Sequence, residues 1–129
     1  MEHNMKGLTL IELIVVLSII ATLAVIGYPS YQTYLVESRR SDAHLALREN
    51  QFIIEQYINE NGITPTSGQV TLATTSTSGF YTVAYTRVSD ERYKLVATAA
   101  TGTSQVGDTG CTTLTLTSEM DKVYPMDCI

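Results

Sequence analysis

LTLIELIVVLSIIATLAVIGY, residues Leu8 to Tyr28, is the stretch on which the fold turns. Its 21 residues contain one charge, Glu12. As an α-helix rising about 1.5 Å per residue it would be roughly 31 Å long, the thickness of a bilayer's hydrocarbon core. It has no polar face, which argues against a surface helix of a soluble domain. The seven residues before it, MEHNMKG, are polar and end in Lys6-Gly7. A secretory signal peptide would have a shorter apolar core followed by a small-x-small cleavage site, whereas here GYPSY follows. A plain membrane anchor fits the length but leaves Glu12 unexplained. An acidic side chain at the centre of a membrane helix costs about 2.5–3.5 kcal/mol, less towards an end, and calls for a partner. No basic residue lies between Leu8 and Glu37. The countercharge must come from another molecule or be created by processing.

Working outward, SYQTYLVESRRSDAHLALRENQFIIEQYINEN continues with helical periodicity after Pro29. Ala43, Leu47, Gln51, Ile54 and Ile58 recur on one face, preceded by Leu35. Arg39, Arg40, Asp42, Arg48, Glu49, Glu55 and Glu60 form the opposite, exposed mixed-charge face. Asn61-Gly62 is a C-terminal stop, with Pro65 beyond it. Gly27 and Pro29 predict a bend or soft point, because proline removes a donor and clashes one turn back. The chain thus divides into 1–7, an apolar helix half 8–28 and a body 29–129, whose amphipathic helix half is 29–61.

From Gly62 the composition turns to Thr, Ser and Gly, which suits strands and loops. Residues 62–79 read as a connecting loop, with a short extended piece at Gln69–Ala73. Phe80–Val88, Arg92–Ala99 and Thr112–Thr117 alternate as strands, and Ser89-Asp90-Glu91 forms the first hairpin turn. Tyr81, Val83 and Tyr85, then Tyr93, Leu95 and Ala97, then Leu114 and Leu116 share the core side. The sequence also allows a fourth short strand at Lys122–Tyr124, stopped by Pro125. The fold class is α+β: one long helix packed on a three- to four-stranded antiparallel sheet.

KGLTLIELIVVLSIIATLAVIGYPSY closely resembles the N-terminal signature of type IV pilins and the related pseudopilins. The resemblance implies a leader that ends at Gly7, a prepilin peptidase that cuts between Gly7 and Leu8, and N-methylation of Leu8, which stands where the family most often has Phe. Glu12 becomes the fifth residue of the mature chain, the position of the family's assembly glutamate. Cleavage then creates the missing cation. In a staggered stack of helices, Glu12 of one subunit meets the Leu8 amine of its neighbour, an attraction far stronger in a low-dielectric core than in water. The alternative is a passive anchor with Glu12 at headgroup level. The middle of the chain, with Tyr-x-x-Tyr, SRRSDA and YINENG, looks like type IVa minor pilins similar to PilE. The implied fold is the type IV pilin fold. The implied life history runs from a prepilin in the bacterial inner membrane to an extracellular pilus.

Cys111 and Cys128 are the only cysteines and enclose 16 residues. An exported domain favours a bridge over two free thiols, and in the resembled family this is the C-terminal disulfide loop. Major type II secretion pseudopilins generally lack it, which tilts the resemblance to a pilus subunit. A short major pilin, a pseudopilin and a pilin with a DNA- or surface-binding face remain alternatives. The implied partners are other pilin subunits, the prepilin peptidase, the assembly machinery and the inner membrane.

With 13 acidic and 8 basic residues the net charge is −5, against the basic excess of a general nucleic-acid binder. Arg87, Arg92 and Lys94 lie near one hairpin and form a candidate polyanion patch, with a solvated sheet face as the plainer account. His3 falls in the leader, and His44 stands between Arg40 and Arg48 on the exposed helix face. No Ser–His–Asp set, phosphate loop or zinc framework is visible, so neither an enzyme nor a metal or other cofactor is expected. Asp90, Glu91, Asp108, Glu119, Asp121 and Asp127 are candidate calcium ligands, although scattered loop acids are usually just solvated. Mass spectrometry of the membrane-extracted protein is expected to show loss of residues 1–7 and one added methyl on Leu8. An intact leader in assembled filaments would contradict this.

Overall fold

The computed structural model describes residues 7–120 and 122–128. The apolar stretch and the amphipathic one form a single helix, α1, Leu10–Asn61, of 52 residues. The chain divides into two compact units after Leu35. In the first, the side chains from Leu8 to Tyr28 are all exposed, and mean hydropathy reaches 2.7 over a membrane-length window. Two hydroxyls inside this apolar stretch bond to the helix's own backbone. Ser18 Oγ donates to the Val15 carbonyl at 2.8 Å and Thr22 Oγ1 to the Ser18 carbonyl at 2.8 Å, so neither asks hydrocarbon for a partner. The helix continues through Gly27 and Pro29, where proline has no N–H to offer the Val25 carbonyl. Gly62, at φ 76°, ends α1, its N–H donating to the Ile58 carbonyl at 2.7 Å. This left-handed position suits glycine because no Cβ opposes it.

In the second unit α1 buries Ala43, Ala46, Leu47, Asn50 and Ile54. The expected face is therefore shifted at one position: Asn50 is buried and Gln51 half-buried. The reason is a backbone mimic. The Asn50 amide donates to the Ala73 carbonyl and accepts from the Ala73 N–H, both at 2.8 Å, so the buried polar group is satisfied. Those two bonds also account for Gln69–Ala73, which forms no strand: Ala73 pairs with the helix, and only Thr75 bridges to Thr82.

The sheet has three antiparallel strands in the order β1-β2-β3, at Tyr81–Arg87, Tyr93–Ala99 and Thr113–Thr117. Val83 pairs with Ala97, and Ala97 with Leu114, so the inner residues of all three strands face one way. Among the described residues the sheet takes the three-stranded form of the two that the sequence allows. Tyr124 makes an isolated bridge to Thr115, and the adjoining Pro125 cannot donate to a ladder. Tyr81, Val83, Tyr93, Leu95, Ala97, Leu114 and Leu116 close on Ala43, Leu47 and Ile54 to make the core. Each inner tyrosine finds an acceptor, as a buried phenol requires: Tyr81 at the Cys111 carbonyl (2.9 Å), Tyr85 at the Pro65 carbonyl (2.6 Å) and Tyr93 at Glu55 Oε1 (2.5 Å). Burial and the Glu55 carboxylate together hold the Tyr93 phenol neutral far above the usual range.

A disulfide joins Cys111 to Cys128 across 17 positions. Both residues lie in the core, so the bridge adds a covalent tie to a C-terminus that a short 3-10 turn, an isolated bridge, the buried Val123 and the His44 contact also hold. Cys128→Ser is expected to lower stability by about 3 kcal/mol, the loop-entropy value for this spacing, as read by chemical denaturation. An unchanged midpoint would show that the tail is held by other contacts.

Candidate functional site

At the head of α1, Thr9 and Glu12 form a reciprocal cap. The Glu12 N–H donates to Thr9 Oγ1 at 3.4 Å, while the Thr9 N–H and Oγ1 each donate to Glu12 Oε2 at 3.3 Å. This is the Thr-x-x-Glu capping box, which satisfies two helix-end donors at once. Its signal, T9-L10-I11-E12, is present in the sequence, but reading Glu12 only as an unpaired charge passes over it. The box places the carboxylate at the first turn, where the helix dipole favours negative charge. Gly7 and Leu8 precede the helix, so the Gly7–Leu8 peptide bond lies outside the helical hydrogen-bond ladder. Residues 1–6, including His3, lie outside the described residues.

The helix face expected to be a solvated charge mixture is instead partly bonded to the rest of the body. Arg40 makes a two-pronged pair with Asp108, at 2.7 Å from Nε to Oδ2 and 2.6 Å from Nη2 to Oδ1. The Asp108 side chain is only 6% exposed, so a hydrogen-bonded partner is obligatory. Gln105, fully buried, donates to the same carboxylate at 2.9 Å and to the Tyr81 hydroxyl at 3.0 Å. Together these bonds tie the β2–β3 connection to α1. Arg39 lies 3.8 Å over the Phe80 ring, a cation–π contact. His44 is half-buried, with Nε2 3.1 Å from the Cys128 carbonyl. Residues 36 to 55 of α1 thus reach loops far away in sequence, which helical periodicity does not register.

The three cations of the candidate hairpin patch are placed differently from one another. Arg87 pairs across the ladder with Tyr93, on the helix side of the sheet, whereas Lys94 pairs with Thr86 and Thr117 on the outer side. Arg87 Nε donates to Thr64 Oγ1 at 2.9 Å, and its Nη2 pairs with Asp90. Arg92 pairs with Glu119 at 3.0 Å. Two of the three are therefore already countered by carboxylates. Of the acids considered for calcium, Asp90, Asp108 and Glu119 are ion-pair partners of arginines, and Asp121 lies outside the described residues. Among the described residues no three His, Cys, Asp or Glu side chains converge as a metal site.

One apolar-headed helix, an antiparallel sheet on its second half and a disulfide-closed tail define the class: this is a type IV pilin fold. Residues 29–115 match the family of the type IV minor pilin ComP, DNA uptake sequence receptor, and residues 3–28 match the prokaryotic N-terminal methylation motif. The chain belongs to that minor pilin family. It is 33% identical over 81 residues to the fimbrial protein EcpC of Eikenella corrodens, covering 63% of this chain and 53% of that protein. It is 35% identical over 65 residues to the type IV major pilin protein PilE of Neisseria gonorrhoeae, covering 50% and 39% respectively. A fimbrial protein of Neisseria meningitidis serogroup B is 35% identical over 78 residues, covering 60% and 45%. The chain thus spans about half or less of the length of these curated relatives.

One helix-to-loop contact titrates. Burial alone would raise the Asp42 carboxyl, but hydrogen bonds from the Ser78 hydroxyl and N–H, and from Ser76 and Thr77, outweigh it and hold Asp42 below its ordinary value of 3.8. A depressed carboxyl stabilises the fold above its unfolded pKa and loses that contribution as pH falls through its folded pKa. Asp42 is partly exposed, so the contribution is about 1 kcal/mol after allowance for solvent screening. The stability difference between the parent and Asp42→Ala is expected to be full above about pH 5 and to shrink towards pH 2, measured by thermal melting. A difference independent of pH would show that the Asp42 charge plays no part.

Proposed function

We propose that this chain is a minor subunit of a type IV pilus, inserted in the inner membrane as a prepilin, cut after Gly7 and assembled through its N-terminal helix. The observation that carries this reading is the combination of the minor pilin family over residues 29–115 with the methylation motif over residues 3–28. Glu12 supports it physically. Free in the bilayer, its carboxylate shares its box with Thr9. In a filament, the processed Leu8 amine of an adjacent subunit supplies the countercharge that an apolar surrounding demands. The exposed apolar side chains from Leu8 to Tyr28 are the surface that neighbouring helices cover. Gly27 and Pro29 mark where the helix loosens on packing, since extending from about 1.5 Å to about 3.3 Å per residue lengthens the subunit locally.

A second reading rests on the character of the matched family, a DNA uptake sequence receptor: the body carries a DNA-contacting face on the pilus surface. It is compatible with the first, because the helix does the assembling and the body is presented outward.

In sheared filaments the chain is expected to be scarce relative to a major pilin, and dominance in that fraction would replace the minor assignment with a major one. Glu12→Leu is expected to leave membrane insertion intact, because the segment becomes more apolar, and to reduce incorporation by an order of magnitude or so. Normal incorporation of the leucine variant would show that the charge has no role in assembly.

A further inference from the structure

Between Glu12 and Glu37 the chain carries no charge, but the segment is not uniform. Up to Ile26 it is aliphatic apart from Ser18 and Thr22. Residues 28–34, YPSYQTY, then bring three tyrosines and the polar Ser30, Gln32 and Thr33, ahead of the first charges at Glu37, Arg39 and Arg40. Tyr28, Tyr31 and Tyr34 all lie on α1 and are 68%, 58% and 65% exposed. They differ in kind from the tyrosines of the core. Tyr81, Tyr85 and Tyr93 each hold an acceptor inside the body, whereas the phenols of Tyr28, Tyr31 and Tyr34 have no hydrogen-bond partner among the described residues. Each therefore offers a large apolar ring beside a hydroxyl that needs a polar neighbour. Thr33 is already satisfied, since its hydroxyl donates to the Pro29 carbonyl at 3.2 Å. The run rises about 10 Å along the helix, the order of one interfacial layer of a bilayer. Hydrocarbon has no acceptor for a phenol, and water leaves an exposed ring unburied. The boundary between them meets both needs, which is why tyrosine gathers at membrane–water interfaces.

We propose that Tyr28, Tyr31 and Tyr34 form an interfacial anchor that seats in the headgroup and ester layer of a lipid bilayer and sets the depth of the unassembled subunit. The inference rests on the membrane-inserted prepilin proposed above and adds the place of its boundary. Counting back from that boundary fixes the other end. Glu12 stands 19 positions before Tyr31, about 28 Å along a helix, or one hydrocarbon thickness. With the tyrosines in one interfacial layer, the Thr9–Glu12 cap reaches the opposite one. There the carboxylate and the free N–H groups of the helix end find polar partners. The Gly7–Leu8 bond, just outside the helix, is then held at the edge of the aqueous phase, where a peptidase reaches it. An aliphatic stretch alone would slide by a few residues at little cost, and the tyrosines remove that freedom. The demand of Glu12 for a cation then arises when packing draws the helix head into a filament core.

The test uses the full-length precursor in vesicles of phosphatidylethanolamine and phosphatidylglycerol, with bromine carried at a shallow or a deep position of the acyl chains. The chain has no tryptophan, so one substitution gives a single emitter. Tyr31→Trp keeps an interfacial ring, and its emission is expected to be quenched several-fold more by shallow bromines than by deep ones. Ile19→Trp, within the aliphatic stretch, is expected to show the reverse preference. The anchor is removed by Tyr28→Ala/Tyr31→Ala/Tyr34→Ala in the Ile19→Trp background. That variant is expected to stay in the vesicles through a carbonate wash and to keep its helix by circular dichroism. Its deep preference is expected to flatten, because the helix no longer keeps one depth. If Tyr31→Trp is quenched most by deep bromines, or only by an aqueous quencher, the tyrosines do not mark the boundary. If the triple variant keeps the full deep preference, they do not anchor it. Either result overturns the inference and leaves the membrane-inserted subunit standing. If no lipid bromine quenches Ile19→Trp, the helix does not enter the bilayer and both fall together.

Discussion

The first half of α1 has no polar face, while its second half buries Ala43, Leu47 and Ile54 beneath a three-stranded sheet. One backbone therefore has to suit two surroundings, and Glu12 is the residue at odds with the first of them. Ser18 and Thr22 discharge their hydroxyls onto the helix itself, but a carboxylate cannot do so and still be satisfied in hydrocarbon. Thr9 takes up part of the demand through the capping box. In the proposed assembly a cation from a neighbouring subunit would supply the rest, and would convert an unfavourable residue into one that specifies register. The remainder of the chain answers a different requirement. It is a body held by its own core and closed at its tail by Cys111–Cys128, able to be carried wherever the helix is placed.

Much of that body is legible in the sequence because its signals are local. The helix stop at Asn61-Gly62, the alternation through Tyr81, Val83 and Tyr85, and the turn at Ser89–Glu91 each follow from a few neighbouring residues. What is not legible depends on partners distant in the chain. Asn50 looks like a polar interruption until Ala73 arrives to use both ends of its amide. Arg40, Asp42 and Glu55 look like solvated charges until Asp108, Ser78 and Tyr93 meet them. The sequence allows a short strand at Lys122–Tyr124, and a single bridge to Thr115 is what this piece forms before Pro125.

The candidate site divides the same way. Gly7, Leu8 and Glu12 are visible because their spacing is itself the motif, and the box with Thr9 is equally available there. The hairpin cations are close in sequence, yet strand alternation sends Arg87 and Lys94 to opposite faces and acids counter two of the three. The cations that share a groove, Arg48 and Lys122, stand 74 positions apart. Only the packing of the tail against α1 brings them together.

The pairing of Glu12 with a neighbour's processed amine is open to a direct measurement. Carbodiimide joins a carboxylate to an amine only when the two are in contact, and it inserts no atoms between them. Purified filaments treated in this way, digested and analysed by mass spectrometry are predicted to yield the Glu12 peptide of this chain linked to the N-terminal residue of an adjacent subunit. Assembled filaments in which Glu12 stays unlinked, or is linked only to Leu8 of its own chain, would contradict the pairing.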